Sequence, residues 1–299
     1  MSGATVSVAV FAHDEEASIR SCLEALAQIA GEATLSVHVL INGCSDGTEA
    51  VVRAYETKAY ALNPVVLPRG DKAETWNHYV HVLAPADATL HVFTDGDVTV
   101  APGSVTGMLA HLRDEPAALG CATLPLTGRS RQAFREKLLS RREMAGNLYG
   151  LRGSVVAALR SRGIRLPAGF IGEDGLVTTL LRYDLDTRGH RDDRRIVATE
   201  EGGFRYPALS PWSPRDMRIY LRRRIRYALR RRQDAMLYPL LFERGVEAMP
   251  REIEDLYRTR GEDPGPAVSG LERLFDRLAA RRIGRAVAVR QARPSQSAA

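Results

Sequence analysis

Apolar residues along the first hundred positions follow two alternating periods. Short runs of apolar and β-branched residues predict four strands, at residues 6–11, 35–41, 65–67 and 89–94. Between them, apolar residues three and four positions apart predict three helices, at residues 15–30, 48–59 and 72–83. Strands that alternate with helices form a mostly parallel sheet, with right-handed crossovers and helices on both faces. The pattern therefore predicts an α/β domain at the start of the chain.

The pattern changes after residue 97. It predicts a helix, a strand, a long basic helix, a glycine-rich loop and a helix, at residues 103–115, 120–126, 131–149, 163–175 and 176–183. From about residue 214 it predicts only helices, in three or so segments separated near Pro239, Pro250 and Pro264. We therefore expect an α/β domain over residues 1–210, a helical extension over 211–289 and a polar, disordered tail over 290–299.

The composition is sufficient for a packed core, and the charge is unevenly distributed along the chain. The chain has 299 residues, of which 44% are hydrophobic, and this is enough for a packed core. Its net charge is +6, but nine arginines lie within residues 215–232, whereas the first 50 residues are net acidic. A basic segment of this kind suits an anionic partner that is met by one region of the protein.

Cysteine spacing and hydropathy indicate in which cellular compartment the protein is expected. The three cysteines, Cys22, Cys44 and Cys121, show no CxxC spacing. This argues against a structural zinc site or a disulfide scaffold and favours a reducing compartment. The N-terminal segment lacks the charged start of a signal peptide, and no stretch approaches the roughly 20 apolar residues of a membrane span. We expect a soluble, cytoplasmic protein, with peripheral membrane contact left open.

Two carboxylates follow the fourth predicted strand. Asp95 and Asp97 flank Gly96, and the carboxyl ends of strands are where α/β sheets bind ligands. Residues two apart in an extended segment point the same way. Two carboxylates so placed suit Mg²⁺ or Mn²⁺ held together with a phosphorylated substrate. An acidic turn without a ligand is the alternative.

Five further polar motifs accompany this pair in chain order. They are His13-Asp14-Glu15-Glu16, Asn42-Gly43-Cys44-Ser45-Asp46-Gly47-Thr48, Lys72 with Asn77, Glu173-Asp174, and Arg223-Arg224-Ile225-Arg226-Tyr227. Together with Asp95-Gly96-Asp97 they resemble the motifs of family 2 glycosyltransferases over roughly residues 5–230. The resemblance implies the glycosyltransferase A fold, a Rossmann-like, nucleotide-binding α/β fold with a mixed central sheet. It also implies an enzyme that uses a nucleotide-sugar.

The resemblance places the donor over the ends of the first two strands. His13 and Asn42 would contact the nucleobase, because an imidazole can stack on it and an amide offers it a donor and an acceptor. An exposed histidine and a turn-forming asparagine are the alternative. Glu15 and Lys72 would also contact the donor, although Lys72 could instead be a solvated residue at a helix start. Asp14 stands where the family more often has asparagine, which leaves its role open.

The resemblance also implies a metal site and a general base. Asp97 would bind Mn²⁺ or Mg²⁺, and Asp95 would contact the nucleoside and the metal; the ion neutralises charge on the departing diphosphate. Asp174 would deprotonate the acceptor hydroxyl as it attacks the anomeric carbon from the face opposite the diphosphate, with inversion. Glu173 would be its catalytic neighbour. A pair of acidic residues that only stabilises a helix N-terminus is the alternative.

The arginine-rich segment has two interpretations. By resemblance, Arg223 and Arg226, three residues apart on a helix, would clamp the donor diphosphate, and Tyr227 would contact the acceptor. Trp212 is a further candidate for acceptor contact. The remaining arginines and apolar residues of the segment could lay the helix against anionic lipid, or the apolar residues could pack on the α/β domain.

These features predict an inverting, metal-dependent hexosyltransferase. It would move a sugar from a nucleoside-diphosphate sugar to a hydroxyl acceptor, which could be a glycan, a lipid-linked compound or a small molecule. Synthesis of cell envelope polysaccharide is one process in which such an enzyme would act. Uridine diphosphate is the commonest donor handle in the family, and guanosine and thymidine forms stay open. A sugar-phosphate nucleotidyltransferase is an alternative, but it lacks support because no glycine-rich, arginine-bearing loop follows the first strand. A non-enzymatic polyanion- or nucleic-acid-binding protein would leave the carboxylate motifs unexplained, so we expect no nucleic-acid partner.

Overall fold

The computed structural model describes residues 4–207, 210, 212–260 and 268–291. The strands in this part of the chain are β1 (Thr5–Ala12), β2 (Thr34–Asn42), β3 (Ala61–Leu67), β4 (Leu90–Asp95), β5 (Thr99–Ala101), β6 (Gly120–Ala122), β7 (Leu148–Arg152), β8 (Ile196–Ala198) and β9 (Gly203–Arg205). The α-helices are α1 (Ile19–Gln28), α2 (Thr48–Arg53), α3 (Lys72–His78), α4 (Ser104–Asp114), α5 (Arg131–Arg141), α6 (Gly153–Ser161), α7 (Glu173–Arg182), α8 (Pro214–Arg244), α9 (Glu254–Arg260) and α10 (Glu272–Gln291).

Seven of the strands form one sheet in the order β3-β2-β1-β4-β7-β6-β8, and β5 pairs with β9. The first four strands run parallel, as the alternating pattern predicts. β7 is antiparallel to both β4 and β6, and β8 is parallel to β6. Six strands therefore run in one direction and β7 in the other. The predicted α/β class with a mixed central sheet is confirmed.

The core lies between the parallel strands and the helices that cover them. Every residue of β1 after Thr5 is buried, because a central strand of a parallel sheet is covered on both of its faces. On α1, the buried residues Ile19, Cys22 and Leu26 repeat at three- and four-residue intervals, so one face of the helix packs against the sheet. This packing holds the loops after β1, β2 and β4 at one edge of the sheet.

The predicted helix over residues 131–149 is wrong in its second half. Helix α5 ends at Arg141, and Arg142 takes a left-handed conformation with φ of 49°. The chain then returns as β7, where Tyr149 is buried and its ring stacks on Phe93 with centroids 4.9 Å apart. The Tyr149 hydroxyl accepts a hydrogen bond from Trp76 Nε1 at 2.9 Å. Burial in the sheet therefore outweighs the helical pattern of this segment.

Other helix boundaries differ from the predicted ones by a turn or more. Helix α1 begins at Ile19 instead of residue 15, because the residues before it form the loop described below. Helix α2 ends at Arg53 instead of residue 59. Helix α7 begins at Glu173, so the acidic pair lies in its first turn and not in the loop before it. Pro239 lies inside α8 and does not end it.

The chain forms two compact units. The first comprises Met1–Ile164 with Glu173–Ala208, and it contains the sheet. The second comprises Arg165–Gly172 with Leu209–Ala299, and it contains α8, α9 and α10. Within the second unit, Arg232 and Asp276 form a buried ion pair with two contacts, at 2.8 and 2.6 Å. This pair fixes α8 against α10.

Some sequence predictions fall outside the described residues. Of the predicted tail, residues 292–299 are not described, and neither is Pro264; Arg290 and Gln291 belong to α10. Among the described residues, no helix combines the length and the apolar character needed to cross a membrane.

Candidate active site

The carboxyl ends of β1 and β4 lie side by side at one edge of the sheet. Phe11 of β1 pairs with Asp95 of β4, and the Gly96 amide donates a hydrogen bond to the Phe11 carbonyl at 2.8 Å. A Cβ atom on Gly96 would lie 3.2 Å from this carbonyl, so the turn packs tightly against the end of β1. The Asp95-Gly96-Asp97 turn is therefore held against the loop that begins at His13.

The loops after β1 and β2 are joined by hydrogen bonds between side chains and backbone. Asp14, with φ of 57°, accepts from the Ser45 amide at 2.7 Å. Asp46 accepts from the amides of Glu16 and Thr48, each at 3.0 Å, so it joins the loop after β1 to the first residue of α2. These bonds fix the chain around Glu15 before α1 begins.

His13 and Asn42, the predicted base contacts, lie next to each other but differ in exposure. The Asn42 side chain is buried, and its amide nitrogen donates to the Ala12 carbonyl at 3.0 Å. His13 is exposed, and its Nδ1 donates to the Asn42 carbonyl at 2.7 Å. Asn42 therefore holds the two strand ends together, and the His13 ring is the part of the pair that faces solvent.

Lys72 joins residues that are far apart in the sequence. It is the first residue of α3, and Asp71 caps this helix by accepting from the Glu74 amide at 3.1 Å. The Lys72 Nζ atom lies 2.5 Å from Asp95 Oδ1 and 2.8 Å from Glu173 Oε1. Both ion pairs are largely shielded from solvent. One ammonium group therefore links the end of β4 to the first turn of α7.

Negative charge exceeds positive charge around Lys72. Burial raises the pKa of Asp95 to about 6; the Lys72 ammonium opposes this rise, and the carboxylates of Asp97 and Glu173 add to it. Burial lowers the pKa of Lys72, but Asp95 and Glu173 outweigh burial and hold it above its usual range. The pKa of Asp95 is thus raised mainly by burial and further by the neighbouring carboxylates, and the pKa of Lys72 is raised by its two carboxylate partners. A further cation would relieve the same excess of negative charge.

Glu15 belongs to this cluster from the β1 side. Burial raises the pKa of its carboxyl to about 7; a hydrogen bond from Ser18 opposes this rise, and the charges of Asp97 and Asp95 add to it. Asp97 is partly exposed, and within the described residues its carboxylate makes no hydrogen bond and no ion pair. Hard carboxylate oxygens with an excess of negative charge fit a divalent metal such as Mg²⁺ or Mn²⁺.

Asp174 lies beside this cluster in the first turn of α7. Its Oδ2 accepts from the Gly146 amide at 3.2 Å, while the Gly146 carbonyl lies 3.4 Å from Lys72 Nζ. The next residue, Asn147, accepts from the Asp95 amide at 3.3 Å. The turn before β7 thus holds Asp95, Lys72 and Asp174 in place. The sequence pattern missed this turn, although glycine and asparagine at 146–147 are poor helix formers and were a signal for it.

A second group of possible metal ligands lies in the joined loops. Asp14, Cys44 and Asp46 have ligand atoms within 4.8 Å of one another, and they are the one group of three found in the described part of the chain. The two carboxylates already accept hydrogen bonds from Ser45, Glu16 and Thr48. Their arrangement is therefore explained by the folding of the loops.

The predicted contacts from the arginine-rich segment lie in the second unit. Arg223, Arg226 and Tyr227 are exposed on α8, and Trp212, just before this helix, is 91% exposed. Arg224 of the same motif forms an ion pair with Glu272, and its guanidinium lies 5.5 Å from the Phe275 ring. The motif therefore divides into exposed residues and a residue that packs on α10.

Two clefts of about 260 and 350 Å³ lie elsewhere on the first unit. Both are lined by Ala86, Gly153 and Ala157, near the residues that begin β4. Asp95 ends that strand, so these clefts lie at the opposite edge of the sheet and contain none of the predicted site residues.

Comparison with known proteins identifies relatives of the chain. Residues 7–158, just over half of the chain, match the family described as Glycosyl transferase family 2. No curated protein matches significantly. Among solved structures, the mannosyltransferase PcManGT from Pyrobaculum calidifontis, in complex with GDP-Man and Mn²⁺, is 18% identical with a TM-score of 0.56; the match covers 97% of this chain and 76% of that one. S. aureus TarS in complex with UDP-GlcNAc is 13% identical with a TM-score of 0.51, over 98% and 93% of the two chains. At these identities the structural likeness shows a shared fold, as the sequence motifs predict.

The raised pKa of Glu15 predicts how stability depends on pH. The folded protein keeps the Glu15 proton up to about pH 7, whereas an ordinary glutamate loses its proton near 4.5. The folded state therefore binds more protons in this range, and this contribution to stability is lost as the pH rises through it. Glu15→Gln should unfold with a free energy about 1 kcal/mol higher than wild type at pH 8, and with a smaller difference at pH 4.5.

Urea unfolding in a metal chelator at the two pH values measures this difference. Glu24→Gln, at an exposed position on α1, is the matched control and should show the same small difference at both. A Glu15→Gln variant that is no more stable relative to wild type at pH 8 than at pH 4.5 contradicts the assignment.

Proposed function

The chain belongs to glycosyl transferase family 2, and we propose that it transfers a sugar from a nucleoside-diphosphate sugar to a hydroxyl acceptor, with inversion and with the help of a divalent metal ion. The observation that carries this proposal is the acidic cluster at the carboxyl edge of the sheet. Lys72 there connects Asp95, after the nucleotide-binding half of the fold, with Glu173, next to the proposed base.

We assign the metal to Asp97 and Asp95. Asp97 has no hydrogen bond or ion pair among the described residues, whereas Asp95 is already paired with Lys72. We therefore infer that Asp97 is the principal ligand and that Asp95 completes the site beside the donor. Mn²⁺ or Mg²⁺, when bound, supplies positive charge to the diphosphate as it leaves the sugar.

The donor would lie over the joined loops and the end of β1. The exposed His13 ring is the group that we assign to the nucleobase, and the buried Asn42 would position this ring by accepting its hydrogen bond. We assign Glu15 to the same side of the donor. Lys72 could reach a phosphate oxygen in addition to its two carboxylate partners. A UDP-sugar is the proposed donor. The solved complexes contain different nucleobases, since PcManGT binds GDP-Man and TarS binds UDP-GlcNAc. We therefore infer that contacts around the nucleobase, and not the fold, determine which nucleotide is bound.

We assign the general base to Asp174. Its carboxylate is partly exposed and accepts hydrogen bonds from the amides of Gly146 and Gly175. As a carboxylate it could accept the proton of an acceptor hydroxyl as the oxygen attacks the anomeric carbon and the bond to the diphosphate breaks. The buried Glu173, paired with Lys72, would keep this first turn of α7 in place.

The remaining contacts are proposed from the family motif. Arg223 and Arg226 would bind the diphosphate, and both are exposed and three residues apart on α8. Tyr227 and Trp212 would offer aromatic surface to the acceptor, which could be a glycan, a lipid-linked compound or a small molecule.

Replacing Asp97 tests the metal assignment. Asp97→Asn should lose the Mn²⁺-dependent part of nucleotide affinity, a decrease of at least about tenfold, because a carbonyl oxygen replaces a charged ligand. Calorimetric titration of UDP, with and without Mn²⁺, measures this change, after thermal-shift screening of uridine, guanosine and thymidine diphosphates has identified the preferred base. Asp114→Asn, on the exposed end of α4, should bind as wild type does. Full Mn²⁺-dependent binding by Asp97→Asn would exclude this role.

Replacing Asp174 tests the general base. Asp174→Asn should keep nucleotide affinity within about twofold but lower turnover by on the order of 10²-fold or more, which is the scale of general-base catalysis. Release of nucleoside diphosphate from the screened donor, in the presence of an acceptor, measures turnover. The surface variant Glu136→Gln serves as the control. If turnover by Asp174→Asn is near normal, another group is the base.

A further inference from the structure

His91 is a buried histidine that the proposed sugar transfer does not use. It lies on β4 and is 1% exposed. Its Nδ1 atom and the Ser7 hydroxyl are both hydrogen-bonded to the Tyr79 hydroxyl, at 2.8 and 2.7 Å. Burial, and to a smaller extent the charge of Arg160, lowers the pKa of His91 to about 4, so the ring is neutral at neutral pH. Because Nδ1 is engaged, Nε2 is the ring nitrogen left for a ligand, and it makes no hydrogen bond to any residue that the structure describes.

This histidine lines the larger of the two clefts at the edge of the sheet opposite the acidic cluster. The cleft has a volume of about 350 Å³, which is in the range of small-molecule sites. Its polar side chains are those of His91, Arg160 and Ser161, and its apolar walls include Val156 and Ala157. A few polar groups among apolar walls are typical of a site that orients a small ligand.

Arg160 gives this cleft a positive charge that no carboxylate neutralises. Its Nε donates to the Val80 carbonyl at 2.7 Å and its Nη2 to the Ala84 carbonyl at 2.6 Å, so the guanidinium is fixed in place. Within the described ranges, Nη1 makes no hydrogen bond and the side chain forms no ion pair. Asp87, whose charge opposes the fall in the pKa of His91, is exposed and does not pair with Arg160.

The adjoining cleft contains a second arginine of the same kind. This cleft of about 260 Å³ shares Ala86, Gly153 and Ala157 with the larger one, and Arg152 lines it. The Arg152 Nε donates to the Ala118 carbonyl at 2.5 Å, and the side chain forms no ion pair with any described residue. Two fixed guanidinium groups without carboxylate partners therefore line neighbouring clefts along α6. Their summed charge favours an anion there.

We propose that the larger cleft is a second ligand site, separate from the acidic cluster, and that it binds a small phosphate monoester that carries a hydroxyl group. Arg160 Nη1 would donate a charge-assisted hydrogen bond to the phosphate. The ligand hydroxyl would bond to His91 Nε2, because a hydroxyl can both donate and accept. A phosphate monoester carries nearly two negative charges at neutral pH and so suits the combined field of Arg160 and Arg152 better than a carboxylate does. This site goes beyond the proposed sugar transfer and does not depend on it.

Calorimetric titration of the full chain with glycerol phosphate, in a metal chelator, tests the proposal. Wild type should bind glycerol phosphate, bind methyl phosphate more weakly because that probe has no hydroxyl, and not bind glycerol. Arg160→Gln should weaken the binding of glycerol phosphate by on the order of tenfold, because a charge-assisted hydrogen bond is lost. Arg162→Gln removes the same charge at an exposed position outside the cleft and should bind as wild type does.

A second variant tests the cleft without removing any side-chain hydrogen bond. Ala157 is exposed on α6 and lines both clefts, so Ala157→Glu adds bulk and a negative charge there. It should weaken binding by more than about tenfold, because like charges then meet. Ser140→Glu, at an exposed position on α5, is its control. The nitrogen-15 resonance of His91 Nε2 should shift when glycerol phosphate is added to wild type and should not shift in Ala157→Glu.

Circular dichroism and calorimetric binding of UDP with Mn²⁺ show that the variants are folded. The proposal is overturned if wild type does not bind glycerol phosphate at millimolar concentration, if Arg160→Gln and Ala157→Glu both bind it as wild type does, or if either control weakens binding as much as its partner. Asp97→Asn separates this site from the proposed function. It should bind glycerol phosphate normally even though Mn²⁺-dependent nucleotide binding is lost, and loss of both would place the phosphate in the acidic cluster and contradict a second site.

Discussion

The ion pairs of Lys72 with Asp95 and Glu173 are the contacts on which the candidate site depends. Charged groups shielded from water are costly unless they are paired, and here one ammonium group serves two carboxylates at 2.5 and 2.8 Å. In the part of the chain that the structure describes, Asp97 and Glu15 then lie near the same site without a cation of their own. The fold thus provides an arrangement of carboxylates that the proposed metal ion and diphosphate would complete.

The topology of the sheet explains how this arrangement is built. Parallel strands place the loops after β1, β2 and β4 at one edge, and the antiparallel β7 brings the turn at Gly146 and Asn147 to that same edge. Hydrogen bonds from this turn reach Asp95 and Asp174. Residues of both the proposed donor side and the proposed acceptor side are therefore supported by one segment of backbone.

The sequence predicts the first half of the fold well because burial there follows a simple rule. Strands covered on both faces are continuous apolar runs, and the helices between them have one apolar face. The same rule fails at residues 142–149, where the predicted helix is replaced by a turn and by the start of β7, in which Tyr149 packs on Phe93. The ion pairs of Lys72 connect residues 72, 95 and 173, and no local pattern encodes contacts at such separations. The order of the motifs in the sequence identified these residues as candidates, and their contacts are seen only in the structure.

The coupling of Lys72 to its two partners tests this account most directly. Double-mutant cycles of Lys72→Met with Asp95→Asn, and of Lys72→Met with Glu173→Gln, are measured as free energies of unfolding in the absence of metal. If one ammonium stabilises both carboxylates, each cycle should show a coupling energy above about 1 kcal/mol. Effects that are additive to within about 0.5 kcal/mol in either cycle would contradict the claim that Lys72 joins the two sides of the site.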